Sequence, residues 1–433
     1  MTQGGAKRTA SPTRPISPPP LRRKLESTVN RNFFTPASQK KSAPAPVTWR
    51  VLGAGVIIGK HAPENYEGVA LPEKNRRVAA FDLDSTLIKT ASGNVFPKNA
   101  DDWKWFDACV PNEIGRLSKE GYQIVIFSNQ KKISLKKDIK GANGDSKSLS
   151  TFKEKLSRIM KQLEVPMSVY AATGDAEHRK PRPGMWKEFL EDYDLDVKGV
   201  DLVNSFYIGD AAGRPGDFSA TDRGFATNIG IPFKTPEEFF LHMKPVEPKE
   251  LFEPTAFFKE GNVPEPAFTR KYPLELVIFC GSPGSGKSTY FWNHLEPLGY
   301  ERVNQDLLKT RPKCLKVARE LLEAKKSVVV DNTNANTETR AYWITLAKDL
   351  NVPIRCIHFL SPLEICKHNA AVRAATKELN PESREPLPGI AFGDFKRRYN
   401  PPEMKEGFED ILEVEFRFEG DEEARRVWGQ YWI

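Results

Sequence analysis

Two apolar runs in this 433-residue chain each stop at a loop whose residues suit phosphate, and that pairing constrains the fold more than any other feature. Arg77-Val78-Ala79-Ala80-Phe81 ends at Asp82-Leu83-Asp84-Ser85-Thr86. Leu274 to Cys280 ends at Gly281-Ser282-Pro283-Gly284-Ser285-Gly286-Lys287-Ser288-Thr289. A run that is apolar at consecutive positions suits a strand buried on both faces of a parallel sheet. Open α/β sheets bind ligands beyond the carboxyl ends of such strands. Two loops of different chemistry therefore imply two α/β units, and 433 residues with 39% hydrophobic content exceed what one core usually supports.

The first loop divides one displacement between two carboxylates. Asp82 is placed to attack phosphorus and carry a covalent aspartyl-phosphate, and Asp84 to protonate the leaving oxygen and then activate water. An anionic nucleophile approaching an anionic phosphate needs a cation, so Mg2+ is expected. Asp-rich loops are also common turns, and the later segments add the specificity. Ile124 to Phe127 reads as a second strand delivering Ser128 and Asn129, and Lys180 lies in His178-Arg179-Lys180-Pro181. Phe206 to Gly209 ends at Asp210, a carboxylate suited to magnesium, and either Asp217 or Asp222 is the second acid. These four elements in this order resemble the haloacid dehalogenase phosphatase superfamily, with its Rossmann-like parallel sheet.

The second loop fits GxxxxGK[ST] between a strand and a helix, the context that makes the pattern a phosphate cradle. Residues 281 to 289 would hold the phosphates of ATP, with Lys287 reaching the β and γ groups and Ser288 on magnesium. Asp306, in Arg302-Val303-Asn304-Gln305-Asp306, is placed to take the proton from an acceptor hydroxyl or, alternatively, to cap a helix before Leu307. Ser327 to Val330 reads as a buried strand ending in Asp331-Asn332-Thr333-Asn334. Helical periodicity over Leu363 to Lys377 groups His368, Asn369 and Arg373. Arg373 is either a lid arginine over the nucleotide or an exposed helix residue.

Asp82-Leu83-Asp84-Ser85-Thr86-Leu87, Arg179-Lys180-Pro181, Gly184-Met185-Trp186 and Tyr207-Ile208-Gly209-Asp210-Ala211-Ala212-Gly213-Arg214-Pro215 look like the phosphatase half of the polynucleotide kinase/3′-phosphatase family. Val303 to Asp306, Asp331 to Asn334, His368-Asn369 with Arg373, and Glu406-Gly407-Phe408 to Phe416 look like its kinase half. The resemblance spans roughly residues 47 to 433. It implies a phosphatase that removes a 3′-phosphate and a kinase that uses ATP to phosphorylate a 5′-hydroxyl, leaving DNA ends a ligase can join. It also implies that Asp82, Asp84 and Asp210 hold magnesium and that Asp306 activates the 5′-hydroxyl. The form expected lacks the forkhead-associated domain of animal members. The segment between Arg214 and Asp217 is shorter than the resemblance leads one to expect for such members.

Domains are expected at 47–243 for the phosphatase and 273–433 for the P-loop kinase, with a Pro- and Glu-rich connection over 244–272 and a basic tail over 1–46. The tail accounts for the charge. Of 65 basic and 57 acidic residues, residues 1 to 47 hold nine and one respectively, so the rest of the chain is formally neutral. Its Pro- and Ser-rich composition argues for disorder. Lys7-Arg8 and Arg22-Arg23-Lys24 read either as a nuclear import signal or as a solvated tail, and Phe33-Phe34 is a candidate docking point for repair proteins. Lys131-Lys132, Lys136-Lys137, Lys140 and Lys396-Arg397-Arg398 are candidate backbone contacts for DNA, or solvated basic faces. Five cysteines without CxxC spacing suggest a reducing compartment, and no apolar run is long enough to span a bilayer. The chain is expected to be nuclear and monomeric. The residues alone leave open a fused metabolite phosphatase and small-molecule kinase, and a degenerate end-binding scaffold. Every expected catalytic position being filled by a competent residue speaks against the scaffold.

Overall fold

The protein is described by a computed structural model that covers residues 47–433 except 54, 65, 67, 137–143, 175–176, 250–251, 259–267 and 377–386. The expected basic tail, together with Lys137 and Lys140, lies outside the described residues.

Among the described residues fourteen strands follow in chain order: β1 (Val47–Leu52), β2 (Val56–His61), β3 (Arg77–Phe81), β4 (Ile88–Lys89), β5 (Lys104–Trp105), β6 (Tyr122–Asn129), β7 (Met167–Ala172), β8 (Phe206–Ile208), β9 (Phe233–Lys234), β10 (Leu276–Cys280), β11 (Glu301–Val303), β12 (Val328–Val330), β13 (Ile354–Phe359) and β14 (Ile411–Val414). Seven form a sheet of order β1-β2-β7-β6-β3-β8-β9 and five a second sheet of order β11-β12-β10-β13-β14. At the start of the described residues β1 pairs antiparallel with β2. From β7 through β9 the first sheet is parallel, as is all of the second.

The apolar runs behave as double-sided strands. In β3, Ala79 and Phe81 enter one core and Val78 and Ala80 the other. In β10, Leu276, Ile278 and Cys280 face one layer while Val277 and Phe279 face the opposite one. Each of these strands also stands at a topological switch point. Chain order runs from β3 outward to β6 on one side and β8 on the other. From β10 it runs to β12 on one side and β13 on the other. Phe81 pairs with both Ile126 and Ile208, so the residues just past three neighbouring strands converge on one crevice.

The Pro- and Glu-rich connection is anchored where it is described. Phe252, Phe257 and Phe258 pack against Trp428 and Trp432 near the C-terminus, and Lys249 N–H donates to Gly213 O at 2.9 Å. The C-terminal segment reaches back to the first sheet's helices. Asn228 Nδ2 donates to Tyr431 O, and Tyr431 N–H donates to Asn228 Oδ1, both at 2.8 Å.

Behind the second sheet, Arg340 is fully buried and fixes the loop after β12. Its guanidinium grips Glu406 at 2.6 and 2.9 Å and donates to the carbonyls of Asn334 at 3.1 Å and Asn400 at 2.9 Å. Truncating one partner of a buried pair leaves an uncompensated charge. Arg340→Met should therefore cost about 3–5 kcal/mol of stability, read from denaturant unfolding. A loss below about 1 kcal/mol would mean that Glu406 finds solvent instead.

Candidate active sites

Asp82 is the first residue beyond β3, and its N–H donates to Ile208 O at 2.8 Å, so strand pairing continues into the loop. Lys180 Nζ sits behind it, 3% exposed, donating to Asp82 Oδ1 at 2.6 Å, Asp222 Oδ1 at 2.7 Å and the Tyr207 hydroxyl at 2.8 Å. All three ammonium protons are thereby used. The lysine backbone is clasped by the side chain of Asn129, which accepts from Lys180 N–H at 2.9 Å and donates to Lys180 O at 3.1 Å.

Asp210 lies two residues past β8, and carboxylate oxygens of Asp82, Asp210 and Asp222 fall within 4.8 Å of one another. Burial pushes the Asp82 carboxyl well above the usual range, Lys180 opposing it and the other two acids adding to it. Burial, then Asp222, lifts Asp210 to about 7. Burial alone would push Lys180 down, but Asp222 and Asp82 hold it above its ordinary value. Three carboxylates facing one ammonium leave an excess of negative charge, and a divalent cation fits that donor set. Asp222 has both oxygens engaged, by Lys180 and Tyr207 on one and by Ala211 N–H at 3.0 Å on the other. Asp82 and Asp210 retain more capacity for a cation.

The choice between Asp217 and Asp222 has a geometric answer. Asp222 is 2% exposed inside the cluster, whereas Asp217 pairs with Arg214 at 3.0 Å and accepts from Ala212 N–H at 3.1 Å. Asp222 comes this close because residue 209 has no side chain: a Cβ there would stand 2.5 Å from the Asp222 carboxylate.

Asp84, expected to hold magnesium beside its acid/base role, is not one of those three carboxylates. Its oxygens accept from Gln130 Nε2 at 2.6 Å and Lys155 Nζ at 3.3 Å. The side chain is half exposed at the mouth, which suits proton exchange better than ligation. Gln130 also donates to Ser128 Oγ at 2.9 Å and so ties the hydroxyl to the acid. Gln130, Lys155 and Tyr207 went unassigned in the sequence. Lys155 had a readable signal: it stands in the apolar stripe of the helix Lys147–Leu163, beside Phe152, Leu156 and Ile159.

In the second crevice the loop after β10 turns through Gly284 and Gly286 at φ of +79° and +93°. A Cβ on Gly284 would lie 2.2 Å from Cys366 O, so the loop packs directly on the helix Leu363–Ala375. Lys287 Nζ is folded into the loop, donating to Ser282 O at 2.6 Å and Gly281 O at 3.1 Å. Burial lowers its pKa. Ser288 Oγ donates to Asp331 Oδ2 at 2.8 Å, and Asn304 Nδ2 donates to Asp331 O at 2.7 Å.

The cap that was the alternative reading of Asp306 belongs to Asn304, whose Oδ1 accepts from Asp306 N–H at 2.8 Å. The Asp306 side chain is exposed beside the crevice. The helix group divides. Asn369 Nδ2 donates to Gly284 O at 2.9 Å, and the Arg373 charge acts on Lys287. His368 instead faces the other side, its Nε2–H donating to Trp428 O at 2.7 Å. Burial lowers its pKa to about 4. Among the surface candidates, Lys132 Nζ sits 3.0 Å over the Phe96 ring. Arg397 and Arg398 both pair with Asp394 at 2.5 Å, which reduces their reach toward an external phosphate.

Residues 77–240 match the family described as Polynucleotide kinase 3 phosphatase, and residues 276–402 match the AAA domain. A bifunctional polynucleotide phosphatase/kinase of Schizosaccharomyces pombe is 42% identical over 362 residues, spanning 83% of this chain and 84% of that protein. A putative bifunctional polynucleotide phosphatase/kinase of Acanthamoeba polyphaga mimivirus is 33% identical over 379 residues, spanning 79% and 85%. A polynucleotide 3′-phosphatase of Saccharomyces cerevisiae is 29% identical over 235 residues, covering 42% of this chain and 94% of its own length.

Two outcomes follow from the first crevice. Gly209→Ala should displace Asp222 and with it Lys180, lowering phosphatase turnover by about 100-fold or more; near-normal turnover would show that Asp222 is dispensable. Asp210 binds its proton more tightly folded than unfolded. Its ionisation therefore costs no stability below about pH 4 and its full cost above about 7. A cation that binds the ionised form offsets that cost. Added Mg2+ should raise the melting midpoint more at about pH 8 than at about pH 6; equal gains would separate the cluster from metal binding.

Proposed function

Because the chain belongs to the bifunctional polynucleotide phosphatase/kinase family, we propose that it restores ligatable 3′-hydroxyl and 5′-phosphate ends at DNA strand breaks. The observation that carries this reading is the presence, on one chain, of a lysine-bound aspartate at one strand switch point and a phosphate-binding loop at the other. The proposed division is a phosphatase over 47–243, a connection over 244–272 and a kinase over 273–433.

In the phosphatase, the Asp82 oxygen not held by Lys180 attacks the 3′-phosphate phosphorus. The bond to the sugar oxygen breaks and Asp84 delivers the proton that oxygen needs. Lys155 and Gln130 hold Asp84 on the mouth side of the site. The ionised Asp84 then takes a proton from water as that water releases inorganic phosphate from Asp82. Ser128 supplies a donor to the phosphate oxygens, the Lys180 charge offsets that of the nucleophile and the phosphate, and Asp222 keeps Lys180 in place. Magnesium, for which Asp82 and Asp210 provide donors, would neutralise charge on the phosphate.

In the kinase, Lys287 exchanges its bonds to Gly281 O and Ser282 O for the β and γ phosphates of ATP. Asp306 accepts the proton of the 5′-hydroxyl, and Arg373 stabilises charge on the transferring group. Ser288 would hold the magnesium that accompanies ATP. Lys131, Lys132 and Lys136, exposed just past Ser128, contact the DNA backbone without reading sequence. The Lys- and Arg-rich tail directs the protein to the nucleus and offers repair proteins an attachment point.

Asp82→Asn should abolish release of phosphate from a 3′-phosphate oligonucleotide while the kinase rate stays within about two-fold, and Lys287→Ala should do the reverse. Loss of both activities in either variant would contradict two separate sites. Free sugar phosphates should be turned over at least about 100-fold less efficiently than the oligonucleotide; parity would favour a metabolite enzyme.

A further inference from the structure

The kinase crevice contains one cation that the chemistry above leaves without a task. Arg302, in the middle of β11, directs its guanidinium at the two side chains best suited to hold the nucleotide's metal. Nη2 donates to Ser288 Oγ at 3.0 Å and to Asp331 Oδ2 at 2.5 Å, and Nε donates to the same carboxylate oxygen at 2.8 Å. The Ser288 proton is already spent on Asp331. What Arg302 takes is therefore a lone pair on the serine oxygen, and a divalent ion held by Ser288 needs a lone pair on that same oxygen.

The surroundings make simultaneous occupation costly. Arg302 and Asp331 side chains are 11% and 2% exposed, so two like charges brought to one oxygen repel with little screening. An unpaired Asp331 carboxylate would be costly in the same place. One cation or the other is needed.

Resting on the kinase reading above, we propose that Arg302 is a tethered counter-cation. It keeps the Ser288–Asp331 seat charge-balanced in the metal-free kinase and must release Ser288 Oγ before a divalent ion can be held there. The guanidinium carbon already lies 5.3 Å from the Trp292 ring centre and 5.7 Å from that of Phe291, contacts that letting go of Ser288 need not forfeit. Aromatic faces at that range attract a guanidinium. Arg302 is thus a positioning residue that sets the affinity of the kinase for metal-bound nucleotide. The phosphatase crevice, with its own lysine, is untouched.

The test is calorimetric titration of the full-length chain with ADP, once with Mg2+ and once with a chelator. Arg302→Gln should tighten Mg·ADP binding by about five-fold, leave chelated ADP within about two-fold, and lower the melting midpoint of the metal-free chain. Arg302→Lys, which keeps the charge but loses the two-point grip, should fall between. Unchanged or weaker Mg·ADP binding by the Gln variant, with 3′-phosphate release intact, would overturn the proposal. If the Gln variant loses that release, the Lys variant decides, and an unchanged Mg·ADP affinity there overturns it too. A wild-type chain that binds ADP under neither condition would overturn the kinase reading, and this proposal with it.

Discussion

The hold of Lys180 on Asp82 and Asp222 is the constraint around which the phosphatase half is arranged. A nucleophilic carboxylate must be buried where an anionic phosphate will also arrive, and burial favours its protonated, unreactive form. One ammonium shared between two carboxylates at 2.6 and 2.7 Å opposes that effect at Asp82 without cancelling it. Much of the neighbouring structure serves that ammonium. Asn129 clasps its backbone, Tyr207 receives its third proton, and the missing side chain at Gly209 admits Asp222.

The kinase half meets the same electrostatic problem differently. Asp331 is buried behind the phosphate loop and is answered by Ser288 and Arg302. In both halves the charged cluster lies past a central strand that is apolar on both faces, at the point where strand order reverses. The C-terminal residues touch both environments. Trp428 Nε1 donates to Asn369 Oδ1 at 2.7 Å while Asn369 bonds the phosphate loop, and Tyr431 is bonded to Asn228, which also donates to Pro181 O at 2.8 Å. The segment from Trp428 to Tyr431 thereby joins the surroundings of Gly284 to those of Lys180.

Legibility from the sequence followed the range of the interaction. Strands β3, β6, β8, β10 and β12 were visible because burial on both faces leaves consecutive apolar residues. The loops were visible because phosphate chemistry fixes residue types over a few positions. Contacts between distant segments were not. Asp217 and Asp222 are equivalent on paper, and only the packing of the helix Thr221–Ile229 against Gly209 separates them. The family resemblance put Asp84 on the metal, whereas its carboxylate accepts from Gln130 and Lys155, partners distant in sequence. Asp306 had two readings, and the cap fell to Asn304, whose side chain accepts from Asp306 N–H. Lys155 could have been found as a lysine in an apolar stripe, whereas nothing local marks Arg302 as a partner of Ser288.

The central claim is that two separate crevices act on the two sides of one strand interruption. The most direct measurement is to give the purified chain a nicked duplex bearing a 3′-phosphate and a 5′-hydroxyl, with and without ATP, and to resolve both strands. The account predicts loss of the 3′-phosphate in either condition and gain of a 5′-phosphate only with ATP, the nick becoming ligatable in that case alone. A nick left unchanged at both ends, by a chain that still hydrolyses small phosphate esters, would contradict it.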